Sequence, residues 1–332
     1  MKKKALMLYN PGEMKFNLTF PPELLAELQE MVDLTIPPRP FPADLAQLNE
    51  LYDAEILITG WGTPQLPLDL IEKGRLQYIC HVTGAMRSMV HRRFFEHGIP
   101  ATNWGASISR TIAEASLAMM LGSLRRIRTI QEELHNRGGY RGVPYPDSLF
   151  ERKVGLFGLG AIARELVKLL QPFHVQIKGY DPYVPDDIFA QLGVERVADL
   201  KTLFSTSDII SVHAAKTAET YHIVNKELLQ LMPENGVLVN TSRGSLINED
   251  DLAAEVKAGR LWVALDVYER EPLPQDSPLR GSERILLFPH QAGPTLDRYI
   301  DMGRLTLENI RRFLNNEPLL YPVTIKQYDI MT

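Results

Sequence analysis

Apolar residues in this chain come in short runs separated by longer amphipathic stretches, a rhythm that predicts strands alternating with helices. In the first hundred residues the pattern predicts strands over 4–9, 54–59 and 77–82, with helices over 22–32, 68–73 and 92–97. That order describes a small doubly wound α/β unit. A proline-free helical pattern then runs over 109–136, and residues 136–148, rich in glycine, proline and tyrosine, read as an irregular arm. Beyond it come strands over 154–157, 175–180, 209–213, 237–240, 262–266 and 285–288. The helices between them are predicted over 161–170, 200–204, 226–231 and 249–258, with Asn248 as the N-cap of the last. A final helix over 296–315 is predicted to return to the first unit. The expectation is therefore a discontinuous domain of 1–104 with 296–332, interrupted by a second domain over 105–295.

With 332 residues and 45% hydrophobic content, the chain suits two ordinary globular cores. Its 36 basic and 41 acidic residues give a net charge of -5, and no basic run is interleaved with aromatics, so a nucleic-acid partner is not expected. The apolar run after Lys2–Lys4 is too short for a signal peptide, and no run reaches membrane-spanning length. The single cysteine, Cys80, excludes an internal disulfide, reads as a core residue and fits a cytoplasmic location.

Residues 153–181, KVGLFGLGAIARELVKLLQPFHVQIKGYD, combine a strand, a glycine turn, a helix and a second strand ending in an acid. Gly158 permits the tight turn, and Gly160 leaves room where backbone must approach a pyrophosphate. Ala161 and Ile162 open a helix whose positive end faces that anion, and Ala163 lets the helix pack closely on the strand. Asp181 stands near the offset expected for an acid that holds an adenosine ribose, where it would repel a 2′-phosphate. The prediction is a dinucleotide site that prefers NAD to NADP. Glycines alone would be weak support, because such turns also arise for packing. The strand, the helix and the spaced acid strengthen it.

In open α/β sheets, ligands gather beyond the carboxyl ends of the strands. Three predicted strands end in reactive side chains there: Arg243 after Asn240, Tyr268-Glu269-Arg270-Glu271-Pro272 after Asp266, and His290 after Pro289. Arg243 offers a planar fork of donors to a carboxylate. Taken singly, an arginine, a glutamate or a histidine at such a position is commonly structural. Together, beside a dinucleotide fingerprint, they predict an acid/base site.

These pieces resemble the D-isomer-specific 2-hydroxyacid dehydrogenase family: GLGAIA at 158–163, NTSRGSLINEDDL at 240–252, ALDVYEREPLP at 264–274 and PHQAGPT at 289–295. The resemblance implies a Rossmann NAD-binding domain inserted into a flavodoxin-like substrate domain, with the site in the cleft between them. It implies hydride transfer between NAD(H) and carbon 2 of a D-2-hydroxy acid or 2-oxo acid. Arg243 would bind the substrate carboxylate and 2-oxygen, His290 would exchange the hydroxyl proton, and Glu271 would orient His290 and favour its protonated form, with Glu269 as the rival acid. Gly158, Gly160, Ala161, Ile162, Asp181, His213, Thr241, Asp266, His290 and Gly293 would surround the cofactor.

Thr83, Gly84 and Ala85 match the family's carboxylate-binding loop. Arg87 stands where the family usually has an acid, and so is a candidate for a second anionic group on the substrate. Ala163, Ala215 and Gln291 are further departures. The resemblance also implies a homodimer; no metal is expected, and without an apolar run of spanning length no membrane partner is expected either. Formate oxidation is disfavoured because Glu271 is not glutamine, and the short stretch after the last helix predicts no added regulatory domain. The alternative is an NAD(H)-sensing binding protein, like the corepressors of the same fold, without significant turnover.

Overall fold

The computed structural model of the chain describes residues 2–139 and 144–331. It falls into two compact units, one ending at Ile108 and resuming at Pro294, the other spanning Ser109–Gly293.

The first unit is built on five strands, β1 (Lys4–Met7), β2 (Asp33–Thr35), β3 (Ile56–Thr59), β4 (Tyr78–His81) and β5 (Ala101–Thr102). They lie in the order 2-1-3-4-5 and every pair is parallel. This is the flavodoxin-like order, and its reversal beside β1 opens a ligand-binding edge at the carboxyl ends. Strands β3 and β4 are buried at every residue, as sheets covered on both faces require. Helix Tyr299–Leu314 belongs to this unit and packs so tightly that a Cβ on Gly303 would lie 1.9 Å from the Thr19 carbonyl oxygen. Cys80 is buried and burial pushes its thiol up, which makes it a core residue.

The second unit carries β6 (Lys153–Phe157), β7 (Gln176–Tyr180), β8 (Glu195–Arg196), β9 (Ile209–Val212), β10 (Val237–Asn240), β11 (Trp262–Leu265) and β12 (Ile285–Leu287). The order is β12-β11-β10-β9-β6-β7-β8, all parallel, which is the Rossmann arrangement with a seventh strand. The switch point lies between β6 and β9. The glycine turn, Arg243, the Tyr268–Glu271 loop and His290 all follow strands of this sheet at its carboxyl edge.

The helix expected over 109–136 is interrupted. Ser109–Leu124 is helical, Arg126 takes a left-handed φ of 56°, and the chain resumes as Ile127–Glu132 and a π-helical turn, Glu133–Arg137. Tertiary contacts outweigh local propensity here. The buried Arg126 guanidinium lies 3.9 Å from the Trp262 ring centroid, donates to the Ser123 carbonyl and pairs with Asp147 at 2.5 Å. The predicted arm over 136–148 thus begins as helix, and its residues 140–143 lie outside the described residues.

Candidate active site

At the glycine turn the two glycines have different reasons to be there. Gly158 has a φ of 93°, and a Cβ on it would come within 2.7 Å of the Ala214 amide nitrogen, so the fold itself requires glycine. Gly160 has an ordinary φ of -73° and nothing within 4 Å of its Cβ position. No protein contact explains it. Helix Ala161–Leu170 starts there without a side-chain cap, so its first-turn amides are left for another acceptor. Ala163 is fully buried against the sheet, as its place in the fingerprint requires.

The acid at the end of β7 is fixed by backbone. Asp181 Oδ2 accepts from Leu159 N–H and Oδ1 from Tyr183 N–H, both at 2.9 Å. A carboxylate has about four acceptor sites, so capacity remains for ribose hydroxyls. Across the switch point, His213 pairs through Nε2 with Ser211 Oγ at 2.9 Å, while its buried Nδ1 has no partner among the described residues. Burial lowers the His213 pKa to about 4. An uncapped helix start, an unforced glycine, an anchored acid and an orphaned ring nitrogen fit a bound dinucleotide. Gly293 likewise has nothing within 4 Å of its Cβ position. Thr241 is engaged instead in the core, its hydroxyl 2.9 Å from that of Ser116.

Beyond β10, Asn240 shapes the turn that presents Arg243. Its Oδ1 accepts from Ser242 and its Nδ2 donates to the Arg243 carbonyl at 2.9 Å. Arg243 Nη1 donates to the Ser242 carbonyl at 2.6 Å, and burial lowers the guanidinium pKa, opposed by the charge of Glu271. Gly244 opens a short 3-10 turn, Gly244–Leu246, without a left-handed φ, but it is crowded by backbone: a Cβ there would sit 1.8 Å from the Tyr268 carbonyl carbon. Close approach between two loops, not a sharp turn, explains this glycine.

The next two loops are tied together by Tyr268, Glu271 and Asp266. Glu271 Oε1 accepts from Tyr268 N–H at 3.0 Å and its Oε2 lies 2.6 Å from His290 Nδ1. The Tyr268 hydroxyl donates to the Phe288 carbonyl at 2.7 Å, two residues before His290. His290 itself has a left-handed φ of 54°. That conformation is uncommon outside glycine and needs support. Asp266 provides it, accepting from Gln291 N–H at 2.7 Å and Ala292 N–H at 2.9 Å. Burial raises the Asp266 pKa, and those two backbone bonds oppose the rise. A cavity of about 660 Å³ opens beside the Glu271–His290 pair, lined also by Tyr268, Leu273, Arg280 and Phe288.

Glu269 faces elsewhere. It meets Glu249 and His222, so Glu271 is the acid in contact with His290.

In the first unit, Thr83, Gly84 and Ala85 follow β4. Their three carbonyls are occupied by Trp104 N–H, Asn103 Nδ2 and His81 Nε2 respectively. His81 Nε2 also lies 2.8 Å from the Thr83 hydroxyl, and its Nδ1 lies 2.9 Å from the Thr59 hydroxyl. Burial lowers the His81 pKa to about 4. Gly84 lies under Trp104, where a Cβ would come within 2.5 Å of the indole. Arg87 is exposed and donates to the carbonyls of Asp329 and Met331 near the end of the chain. The structure thus gives Arg87 a partner in its own unit. No metal-binding group of His, Cys, Asp or Glu is present among the described residues, and none of their helices is long and apolar enough to cross a membrane.

Comparison with known proteins identifies the family. The family described as D-isomer specific 2-hydroxyacid dehydrogenase, NAD binding domain, matches residues 117–292. Hydroxypyruvate reductase of Thermotoga maritima is 31% identical over 263 residues, 78% of this chain and 84% of that protein. The chain belongs to the D-isomer specific 2-hydroxyacid dehydrogenase family.

Among other relatives of this 2-hydroxyacid dehydrogenase family member, D-3-phosphoglycerate dehydrogenase of Methanocaldococcus jannaschii is 32% identical over 276 residues. That match covers 81% of this chain but 52% of the relative, so the chain spans about half its length. The solved structure of 2-hydroxyacid dehydrogenase from Ketogulonicigenium vulgare Y25 superposes with a TM-score of 0.77 at 28% identity, over 98% of this chain and 99% of that one. Two groups in this family member's site had no signal in the sequence strong enough to single them out. His222 lacks any motif, and Glu249 reads simply as a helix-start acid; both meet Glu269 in space.

Proposed function

We propose that the chain is an NAD-dependent reductase of 2-oxo acids, or dehydrogenase of D-2-hydroxy acids, acting through Arg243, Glu271 and His290. The observation that carries this reading is the Glu271–His290 contact of 2.6 Å, next to a dinucleotide fingerprint whose Gly160 no protein contact requires. Bound at the β6 turn, NAD(H) supplies hydride chemistry at carbon 2.

The chain's own residues do the rest. Glu271 takes the Nδ1 side of the His290 ring, which leaves Nε2 for the substrate oxygen. During reduction, His290 gives a proton to the 2-oxygen; during oxidation it removes that proton from the hydroxyl. Arg243 binds the carboxylate through its planar fork, and partial burial strengthens that charge-assisted contact. The Thr83–Ala85 loop stays a second carboxylate-binding candidate by its likeness to the family's glycine loop, where backbone N–H groups would donate to the carboxylate. Arg87 is not assigned to substrate. Asp181 binds the adenosine ribose and disfavours a 2′-phosphate, which makes NAD the preferred cofactor.

A panel of 2-oxo acids assayed with NADH and with NADPH tests the reading. Oxidation of NADH by at least one 2-oxo acid, faster than oxidation of NADPH, is expected. Tight NADH binding without turnover on any member would favour the alternative, a nucleotide-sensing protein.

A further inference from the structure

Glu249 and Glu269 hold each other by a reciprocal pair of hydrogen bonds. Glu249 N–H donates to Glu269 Oε1 at 3.0 Å, and Glu269 N–H donates to Glu249 Oε1 at 2.7 Å. Two like charges rarely sit together unless something offsets their repulsion. Here each carboxylate satisfies the other's backbone, Glu249 lies in the first turn of helix Glu249–Lys257, and His222 Nε2 stands 2.9 Å from Glu269 Oε1. Burial pushes the Glu249 carboxyl up, the bond from Glu269 N–H opposes that rise, the charges of Glu269 and Asp250 add to it, and His222 opposes it.

The positions of these residues in the chain give the pair its significance. Glu269 lies two residues before Glu271, in the loop whose Tyr268 N–H binds Glu271 Oε1. Glu249 closes the segment that begins at Arg243 and Gly244, and Gly244 abuts Tyr268. His222 belongs to a third strand of chain, stitched to the same segment through His222 N–H to the Ser245 carbonyl and Val224 N–H to the Leu246 carbonyl. Arg243 and Glu271 are thus carried by two loops that touch at Gly244–Tyr268 and are locked at Glu249–Glu269.

We infer that Glu249 and Glu269 form a positioning clamp that sets the spacing between the Arg243 loop and the Glu271 loop, and so aligns carboxylate binding with proton transfer. This inference rests on the function proposed above. Neither glutamate touches substrate in this account; both are positioning residues. Because the two bonds run in opposite directions, slippage of either loop breaks both.

Two mild substitutions separate reach from charge. Glu269→Asp keeps the charge but shortens the arm by one methylene, whereas Glu269→Gln keeps the arm and an accepting oxygen but removes the charge. In the full chain, Glu269→Asp is expected to lower kcat/KM for a 2-oxo acid at least five-fold, with KM raised as well as kcat lowered. Glu269→Gln should stay within two-fold of the parent, and NADH affinity should be unchanged in both. Hydrogen exchange gives a readout independent of turnover: protection of residues 266–275 should fall in Glu269→Asp and hold in Glu269→Gln. The opposite pattern, or parent-like exchange and kinetics in both variants, overturns the clamp. If the parent itself turns over no 2-oxo acid, the functional reading fails, and exchange alone decides the clamp.

Discussion

Glu271 is bound at both ends of its carboxylate, with Oε1 on Tyr268 N–H at 3.0 Å and Oε2 2.6 Å from His290 Nδ1. A group held this way has one orientation to offer the imidazole. The ring's second nitrogen is thereby aimed without relying on the histidine's own rotamer preference. In Glu271→Gln the Tyr268 bond can persist while the charge is lost. Turnover is expected to fall about 100-fold or more with NADH affinity within two-fold, because positioned acid/base groups typically contribute about 10²–10⁴. Steady-state kinetics with a fluorescence titration of NADH checks the split.

The two fingerprint glycines should behave differently. Gly158→Ala forces a side chain onto a φ of 93° and into the Ala214 backbone, so a clear drop in Tm is expected. Gly160→Ala meets open space in the protein. Its Tm should match the parent while NADH binding weakens about ten-fold or more. Equal NADH affinity in Gly160→Ala would mean that no cofactor passes over that position.

At Gly244 the obstacle is backbone, which cannot swing aside as a flexible side chain would. A Cβ 1.8 Å from the Tyr268 carbonyl carbon must push the Arg243 and Glu271 loops apart. Overpacking of this kind costs roughly 1–3 kcal/mol or more. Gly244→Ala is therefore expected to lower Tm by several degrees and to reduce turnover more than NADH binding, a pattern that calorimetry and kinetics together would show.

Stability should depend on pH through two buried histidines. His81 and His213 have folded-state pKa values lowered to about 4, against about 6.5 when unfolded. Between those values the unfolded chain binds more protons than the folded one, so stability rises with pH. Their contribution is fully present above pH 6.5 and is lost as pH falls towards 4, by on the order of 1–3 kcal/mol per histidine. Urea midpoints at pH 7.5 and pH 5 should differ, and the difference should shrink in His81→Gln. An unchanged difference would place the titration elsewhere.

Much of this arrangement was legible in the sequence because parallel strands buried on both faces leave dense apolar runs, as at Ile56–Thr59 and Ile209–Val212. The Asn248 N-cap was equally readable: its side chain accepts from Asp251 N–H. Short edge strands gave no such signal. Asp33–Thr35 and Glu195–Arg196 are polar and mostly exposed, helix Glu13–Thr19 has no side-chain cap to announce it, and Ile325–Ile330 is opened by a Thr324–Gln327 capping box that the sequence reading passed over. At the site, Arg243, Glu271 and His290 stood out as reactive types at strand ends. The sequence favoured Glu271 over Glu269 through the family resemblance, while the place of the rival needed the fold, which turns Glu269 towards Glu249 and His222. The break at Arg126 was hidden for the same reason: its cause, Trp262, lies far along the chain.

His290 as the proton-exchanging group is the centre of this account, and His290→Asn tests it most directly. Asparagine accepts the left-handed φ of 54° better than most residues, so the loop should survive while the imidazole is lost. With a 2-oxo acid that the parent reduces, kcat of His290→Asn should fall by orders of magnitude while NADH binds with the parent's affinity. Near-normal turnover in this variant, with NADH binding intact, would contradict the account.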